Sequence, residues 1–234
     1  MKEFFLNKYF SLNENMFFKG INNETTPWQC LSLLQELFAS YDRYKIEIDI
    51  PPSVVLKNHT QISIGKNTLI EPGVYIEGPC VIEKNCVIRH GAYIRPFVYA
   101  SEGSVIGHAS EIKHSVLLPF AKASHFAYVG DSILGSNVNL GAGVKCANFR
   151  LDKKTIYIFI NGKKIETNLS KMGAIIGDNT QIGCNTVLNP GTIIGKDTII
   201  YACLNLYGMI PANSIVKKQT QLLIRQKRKL HAIT

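Results

Sequence analysis

The chain has 234 residues, 46% of them hydrophobic, and a formal net charge of +9. That length and apolar content exclude wholesale disorder and accommodate one large domain with a small appendage. The six cysteines include no CxxC pair, which excludes a thioredoxin-like motif and reads as a set of reduced thiols rather than a disulfide framework. No stretch approaches the roughly 18 apolar residues of a membrane helix, and the basic balance favours anionic partners: nucleic acid, phosphorylated metabolites or a nucleotide cofactor.

The opening residues lack the clean apolar segment and small-residue cleavage site of a secretory signal, so a cytoplasmic location is expected. Residues 1–50 read as a small helical cap. Thr26-Pro27-Trp28-Gln29 is a capping box with Pro at the first helical position, and an amphipathic run follows from Cys30 to Tyr44.

From Ile64 the dominant signal is a period of six. Ile64, Ile70, Ile76, Ile82, Ile88, Ile94, Ala100, Ile106, Ile112 and Leu118 stand six apart, and Ile176, Ile182, Leu188, Ile194, Ile200 and Leu206 repeat the series. A helix repeats at about 3.6 and a strand at about 2. Six is a multiple of two, so the apolar residues share one face of short strands and the chain turns between them. Glycine, asparagine and charged residues follow them, as in Ile64-Gly65-Lys66-Asn67 and Ile176-Gly177-Asp178-Asn179, and these suit tight corners. Three such sides close an 18-residue coil, and stacked coils lie ~4.8 Å apart. The expected fold is all-β, a parallel β-helix over residues 51–215.

Near Leu118 the phase slips, and Leu134 and Leu140 resume the pattern early. Irregular turns in a solenoid mark loops or bulges that line sites, and Lys122, His125 and Tyr128 fall within this one. A hairpin insertion is read over 149–172. Thr155–Ile160 and Lys163–Thr167 flank Asn161-Gly162, a type I′ turn signal. Residues 216–234 read as a basic C-terminal helix. It lacks interleaved aromatics, so nucleic-acid binding is not expected.

Coil geometry groups the polar residues. Arg95 and Lys113 are 18 apart and stack at one corner, where two cations repel unless an anion joins them. Phosphate is the natural candidate. His125 follows in the irregular stretch and suits general-base work. His90 and His108 are also 18 apart, with His114 one side further on, but the closely spaced histidine pair of zinc-binding β-helices is missing. No metal site is expected.

The stretch from His125 to Gly143 contains HxxYxGD and VNxGAG elements, followed by Asn148. It resembles the acetyltransferase half of the bifunctional glucosamine-1-phosphate acetyltransferases / N-acetylglucosamine-1-phosphate uridylyltransferases. Residues Ala147 to Gly191 are similar to sugar-phosphate nucleotidylyltransferases that carry a C-terminal acyltransferase β-helix. The resemblance implies a left-handed coil, a homotrimer and acetyl-CoA as donor. It implies His125 as general base, Asn148 near the sugar and the acetyl group, Arg95 and Lys113 on the sugar phosphate, and Tyr128, Asn139 and Lys154 as further acceptor contacts. Cys184 and Ala202 match coenzyme A contacts, and Lys217 or Lys218 would meet its phosphates. Ala147 stands where the bifunctional enzymes have Cys, and Tyr157 where archaeal-type enzymes often have Lys.

The implied activity is N-acetylation of an amino-sugar 1-phosphate, with glucosamine 1-phosphate foremost, in the supply of UDP-N-acetylglucosamine. Residues 1–50 are too short for a nucleotidyltransferase, so a separate nucleotidyltransferase partner is expected. The competing reading is a scaffold β-helix that assembles with such a partner, or an acetyltransferase for another nucleotide sugar.

Overall fold

A computed structural model describes residues 5–11, 16–18, 21–22, 24–160 and 162–218. Three parallel sheets of eight short strands each form the sides of a prism. They wind as a left-handed β-helix of about 9 turns. Face 1 includes Tyr93–Ile94, Glu111–Lys113, Tyr128–Gly130 and Lys145–Cys146. Face 2 includes Val98–Ala100, Ser115–Leu117 and Ile133–Leu134. Face 3 includes Val105–His108, Lys122–His125 and Asn139–Leu140.

The six-residue series supplies the interior. Ile64, Ile70, Ile76, Ile82, Ile88 and Ile94 are all buried in one continuous core running to Ile210. Each such side chain stabilises the fold by about 1.5–3 kcal/mol relative to exposure. Corners between faces 2 and 3 use left-handed backbone, which asparagine tolerates better than most residues. Asn67, Asn85, Asn137 and Asn179 have φ of 58–61°. Their side chains continue from coil to coil, as in Asn179 Nδ2 donating to Asp197 Oδ1 at 3.0 Å.

The phase slip is two short steps. Tyr93 pairs with Glu111, 18 residues on, but Val98 pairs with Ser115, 17 on. The core column therefore runs Ile112, Leu117, Ala123, Val129, Leu134, Leu140. This corrects the expectation for Leu118, which packs in a second, outer cluster. The residues are dropped at the face 1–face 2 corner. Arg95-Pro96-Phe97 turns there with φ of 64° at Phe97, and the next coils close it in one residue less, with φ of 43° at His114 and 46° at Asp131.

The outer cluster is the underside of the cap. Helix α1 (Pro27–Ala39) is capped by Gln29 Oε1, which accepts from Thr26 N and Oγ1 at 2.8 Å each. It buries Trp28, Leu31, Leu34 and Phe38 over the outward residues of face 2, among them Val81, Tyr99, Val116, Ile133, Ile175 and Ile193. Asp178 pins the preceding segment by accepting from Ser11 N at 2.6 Å. Residues Ile46, Ile48 and Ile50 already pack against the inner core, and Ile46 bridges Ile64.

The hairpin pairs Tyr157–Ile160 with Lys163–Glu166. Face 1 resumes beyond it, Lys145 pairing with Val187. At the far end, Ile215–Val216 is a strand of face 3. Val216, expected to start the C-terminal helix, therefore closes the last coil, and residues 219–234 of that expected helix lie outside the described residues. Among the described residues no helix is long and apolar enough to cross a membrane.

Candidate active site

Most of the expected site residues lie at two corners on opposite edges of face 1, with Asn139 on face 3 and Lys154 in the hairpin insertion. The first is the shortened face 1–face 2 corner. Lys113 follows Ile112 on the strand that pairs with Tyr93–Ile94, which puts it one coil beyond Arg95, as the 18-residue spacing requires. Each cation already has a carboxylate. Arg95 Nη1 lies 3.0 Å from Glu111 Oε1, and Lys113 Nζ lies 3.0 Å from Asp131 Oδ2. The repulsion expected between the stacked cations is thus offset within the protein.

Asp131 is the hub of this corner. Its side chain is 8% exposed and faces Lys113, His114 and Asn148. His114 Nδ1 stands 3.0 Å from Asp131 Oδ1. Asn148 Nδ2 donates to Asp131 Oδ2, and Tyr128 Oη approaches Asn148 Oδ1 at 3.4 Å. Burial opposes charge on Asp131, but His114, Asn148 and Lys113 together outweigh it and hold the carboxyl below its usual range. Burial raises the Tyr128 pKa, and Glu111 and Asp131 push it the same way. Any side chain at Gly130 would crowd this polar group. A Cβ would meet Asn148 Nδ2 and Tyr128 Oη at 2.7 Å each.

The second corner joins face 3 to face 1, and backbone hydrogen bonds define its column. Phe126 N donates to His108 O, Gly143 N to His125 O, Asn185 N to Ala142 O, and Cys203 N to Cys184 O. His90, His108, His125, Ala142, Cys184 and Ala202 therefore stand in line on successive coils. His125 is exposed and paired in register with His108. Beyond it the column carries small side chains, and Cys184 and Ala202 are exposed. At ~4.8 Å per coil the line from His125 to Ala202 spans about 15 Å. Tyr201 N donates to Val216 O at 2.9 Å, so Lys217 and Lys218, both exposed, leave the last coil beside this column.

The structure brings Lys113, Tyr128 and Asn148 into one hydrogen-bonded group, with Arg95 beside it. His125 stands at the other edge of face 1, three residues before Tyr128. Asn139 lies on face 3 beside Lys122. Lys154 follows the hairpin's first loop, its backbone N donating to Asp152 Oδ1 at 3.3 Å. His90 and His108 stack 5.5 Å apart, and their Nδ1 atoms donate to Pro72 O and His90 O, so they serve the corner itself. Asp131 stands in the HxxYxGD element, Ala142 in the VNxGAG element and His114 beside the histidine column, but the sequence reading gave none of them a role in the site.

Two family models match the chain. The GMPPB C-terminal domain covers residues 76–170, and the bacterial transferase hexapeptide (six repeats) covers residues 173–206. The bifunctional protein GlmU of Methanococcus maripaludis strain C5 is 38% identical over 74% of this chain and 43% of its own length. A bifunctional sugar-1-phosphate nucleotidylyltransferase/acetyltransferase of Sulfurisphaera tokodaii is 38% identical over 70% of this chain and 40% of its own length. The chain thus spans less than half of these archaeal relatives. YaiX of Escherichia coli K12, an uncharacterized acetyltransferase by name, is 33% identical over 71% of this chain and 74% of its own length. The solved Francisella novicida UDP-N-acetylglucosamine acyltransferase shares the fold, with TM-score 0.54 and 18% identity over 74% of this chain and 64% of that one. With a six-residue core period, a three-faced coil and a relative covered over most of its length, the chain belongs to the hexapeptide-repeat acyltransferases.

Proposed function

We propose that the protein transfers an acetyl group from acetyl-CoA to the amine of an amino-sugar 1-phosphate, with glucosamine 1-phosphate the foremost acceptor. One observation carries this reading: the corner column that sets an exposed histidine, His125, at the head of a small-residue track through Ala142, Cys184 and Ala202. An extended thioester arm fits such a track, and Lys217 and Lys218 suit the donor's phosphates at its far end. The archaeal relative named as a sugar-1-phosphate nucleotidylyltransferase/acetyltransferase supports the acceptor class.

In this reading Arg95 and Lys113 hold the acceptor's phosphate, while Tyr128, Asn139 and Lys154 orient the sugar. His125 accepts the amine proton as the C–N bond to the acetyl carbonyl carbon forms. The C–S bond then breaks, and the thiolate leaves and is protonated. Asn148, fixed by Asp131, supplies a hydrogen bond to the developing oxyanion. Positioning and proton transfer suffice, with no covalent enzyme intermediate. A homotrimer brings neighbouring coils against the exposed faces 1 and 3, and a separate nucleotidyltransferase would use the product in UDP-N-acetylglucosamine supply. The test is a thiol-release assay with acetyl-CoA and glucosamine 1-phosphate. Release that depends on the acceptor is expected, and no release with any amino-sugar phosphate overturns the reading.

A further inference from the structure

The cysteines fall into two groups. Cys30, Cys80, Cys86 and Cys146 are buried, and burial pushes each of these thiols up to about 12. The thiolate is the reactive form, so these four are poor nucleophiles at neutral pH. Cys184 and Cys203 are free and exposed. They also share one corner. Cys203 N donates to Cys184 O at 2.9 Å, which places Cys203 one coil on from Cys184 and one residue along the chain. Coils stack ~4.8 Å apart and consecutive Cα atoms stand about 3.8 Å apart, so the two Cα atoms are about 6 Å apart, inside the roughly 4.4–6.8 Å window of a disulfide.

Position 203 is an unfavourable place for a cysteine. Its φ is 60°, in the left-handed region, and the two preceding coils hold Gly143 and Asn185 at the matching place, with φ of 74° and 56°. Glycine and asparagine tolerate that backbone better than other residues. Cys203 forgoes this tolerance and sets a second thiol at the far part of the small-residue track, directly after Ala202. A bridge from Cys184 to Cys203 would tie neighbouring coils together at the exposed edge where Cys184 and Ala202 stand in line.

We propose that Cys184 and Cys203 are a modification site, which a small-molecule disulfide oxidises to a reversible intramolecular disulfide, and that this cross-link closes the donor track. One cysteine thiolate attacks a sulfur of the small disulfide, whose S–S bond breaks. A mixed disulfide forms, and a small thiolate leaves and takes up a proton. The other cysteine thiolate then attacks the cysteine sulfur of the mixed bond, and the second small thiol leaves. Two cysteine thiols are oxidised, and the small disulfide is reduced to two thiols. The closing of the track rests on the acetyl-transfer reading, whereas the cross-link does not. Wild type and Cys203→Asn, each reduced with dithiothreitol or treated with glutathione disulfide, are compared by intact mass, peptide mapping and calorimetric titration with acetyl-CoA. Asparagine suits the left-handed backbone, so the variant keeps the fold and, when reduced, the wild-type affinity. Oxidised wild type is expected to lose two hydrogens, to carry a Cys184–Cys203 link and to bind acetyl-CoA with a Kd raised roughly tenfold or more. Dithiothreitol reverses all of this. Cys203→Asn is expected to hold glutathione on Cys184 in place of the link. Unmodified wild type, or separate glutathione adducts on the two cysteines, overturns the site. A linked wild type with undiminished affinity overturns the closing of the track. A reduced wild type that does not bind acetyl-CoA removes the donor track and its closing, and the cross-link then stands or falls by mass alone.

Discussion

The coil turns after Ile176 and Ile194 and the coil turns after Ile112 and Val129 begin alike and end differently. The first pair keeps the six-residue step, and its corners hold Asn179 and Asp197, bonded to each other and engaged in holding the coil. The second pair drops a residue. That loss brings Asp131 against Lys113 and His114 and aligns Asn148 over it. A regular solenoid spaces its polar residues evenly along an edge. A missing residue lets charges from neighbouring coils converge, and this is how an otherwise repetitive fold acquires a buried ionic group.

The sharpest way to break this comparison is at the leucine pair. Leu117 faces the inner core and Leu118 the cap. Leu117→Ala is expected to lower unfolding stability by about 2–5 kcal/mol, read by urea denaturation. Leu118→Ala instead loosens the cap, read as faster proteolysis within residues 5–44 while the coil stays protected. The reverse pattern would restore an unbroken six-residue step.

Next comes the ionic hub. Asp131→Asn keeps the shape but loses the charge that meets Lys113, and a loss of about 2 kcal/mol at pH 7 is expected. Because the folded-state pKa of Asp131 is lowered, its contribution is present above the unfolded value and fades as pH falls through the folded one. The stability gap between wild type and Asp131→Asn should therefore hold above about pH 5 and close below about pH 4. A gap that widens in acid would mean the carboxylate is not stabilised in the fold.

The smallest effect belongs to the regular corners. At Asn179, φ is 61°, so Asn179→Ala should cost about 1–2 kcal/mol, and Asn179→Gly markedly less, measured by thermal unfolding.

The repeat was legible because Ile and Leu recur every sixth residue over most of the coil, and a fold closed by that period leaves few alternatives. The short steps were legible as a phase slip but not in their position, since Leu117 and Leu118 are both apolar and composition cannot say which one points inward. The docking of the cap left a readable trace. Face 2 strands carry adjacent apolar residues, as in Val81-Ile82, Ile133-Leu134 and Ile193-Ile194, so both sides of that sheet are buried. Only three central strands of face 3 alternate, with Lys122, Asn139 and Gln181 directed outward beside Ala123, Leu140 and Ile182 in the core, while the outward Leu69, Ile199 and Ile215 of that face are apolar and exposed. For the site, the spacing of Arg95 and Lys113 predicted their stacking. It could not reveal Glu111 and Asp131 as their partners, because those contacts depend on the register between coils. The alignment of His125 with Cys184 was hidden by the hairpin, which separates in sequence what the stacked coils bring together.

The most direct test of the central claim measures thiol release from acetyl-CoA with glucosamine 1-phosphate in wild type and His125→Ala. If the face 3–face 1 corner is the reaction centre, kcat should fall by about 10²–10⁴ with folding intact. An unchanged kcat in His125→Ala would contradict the account and remove that corner as the place of acyl transfer.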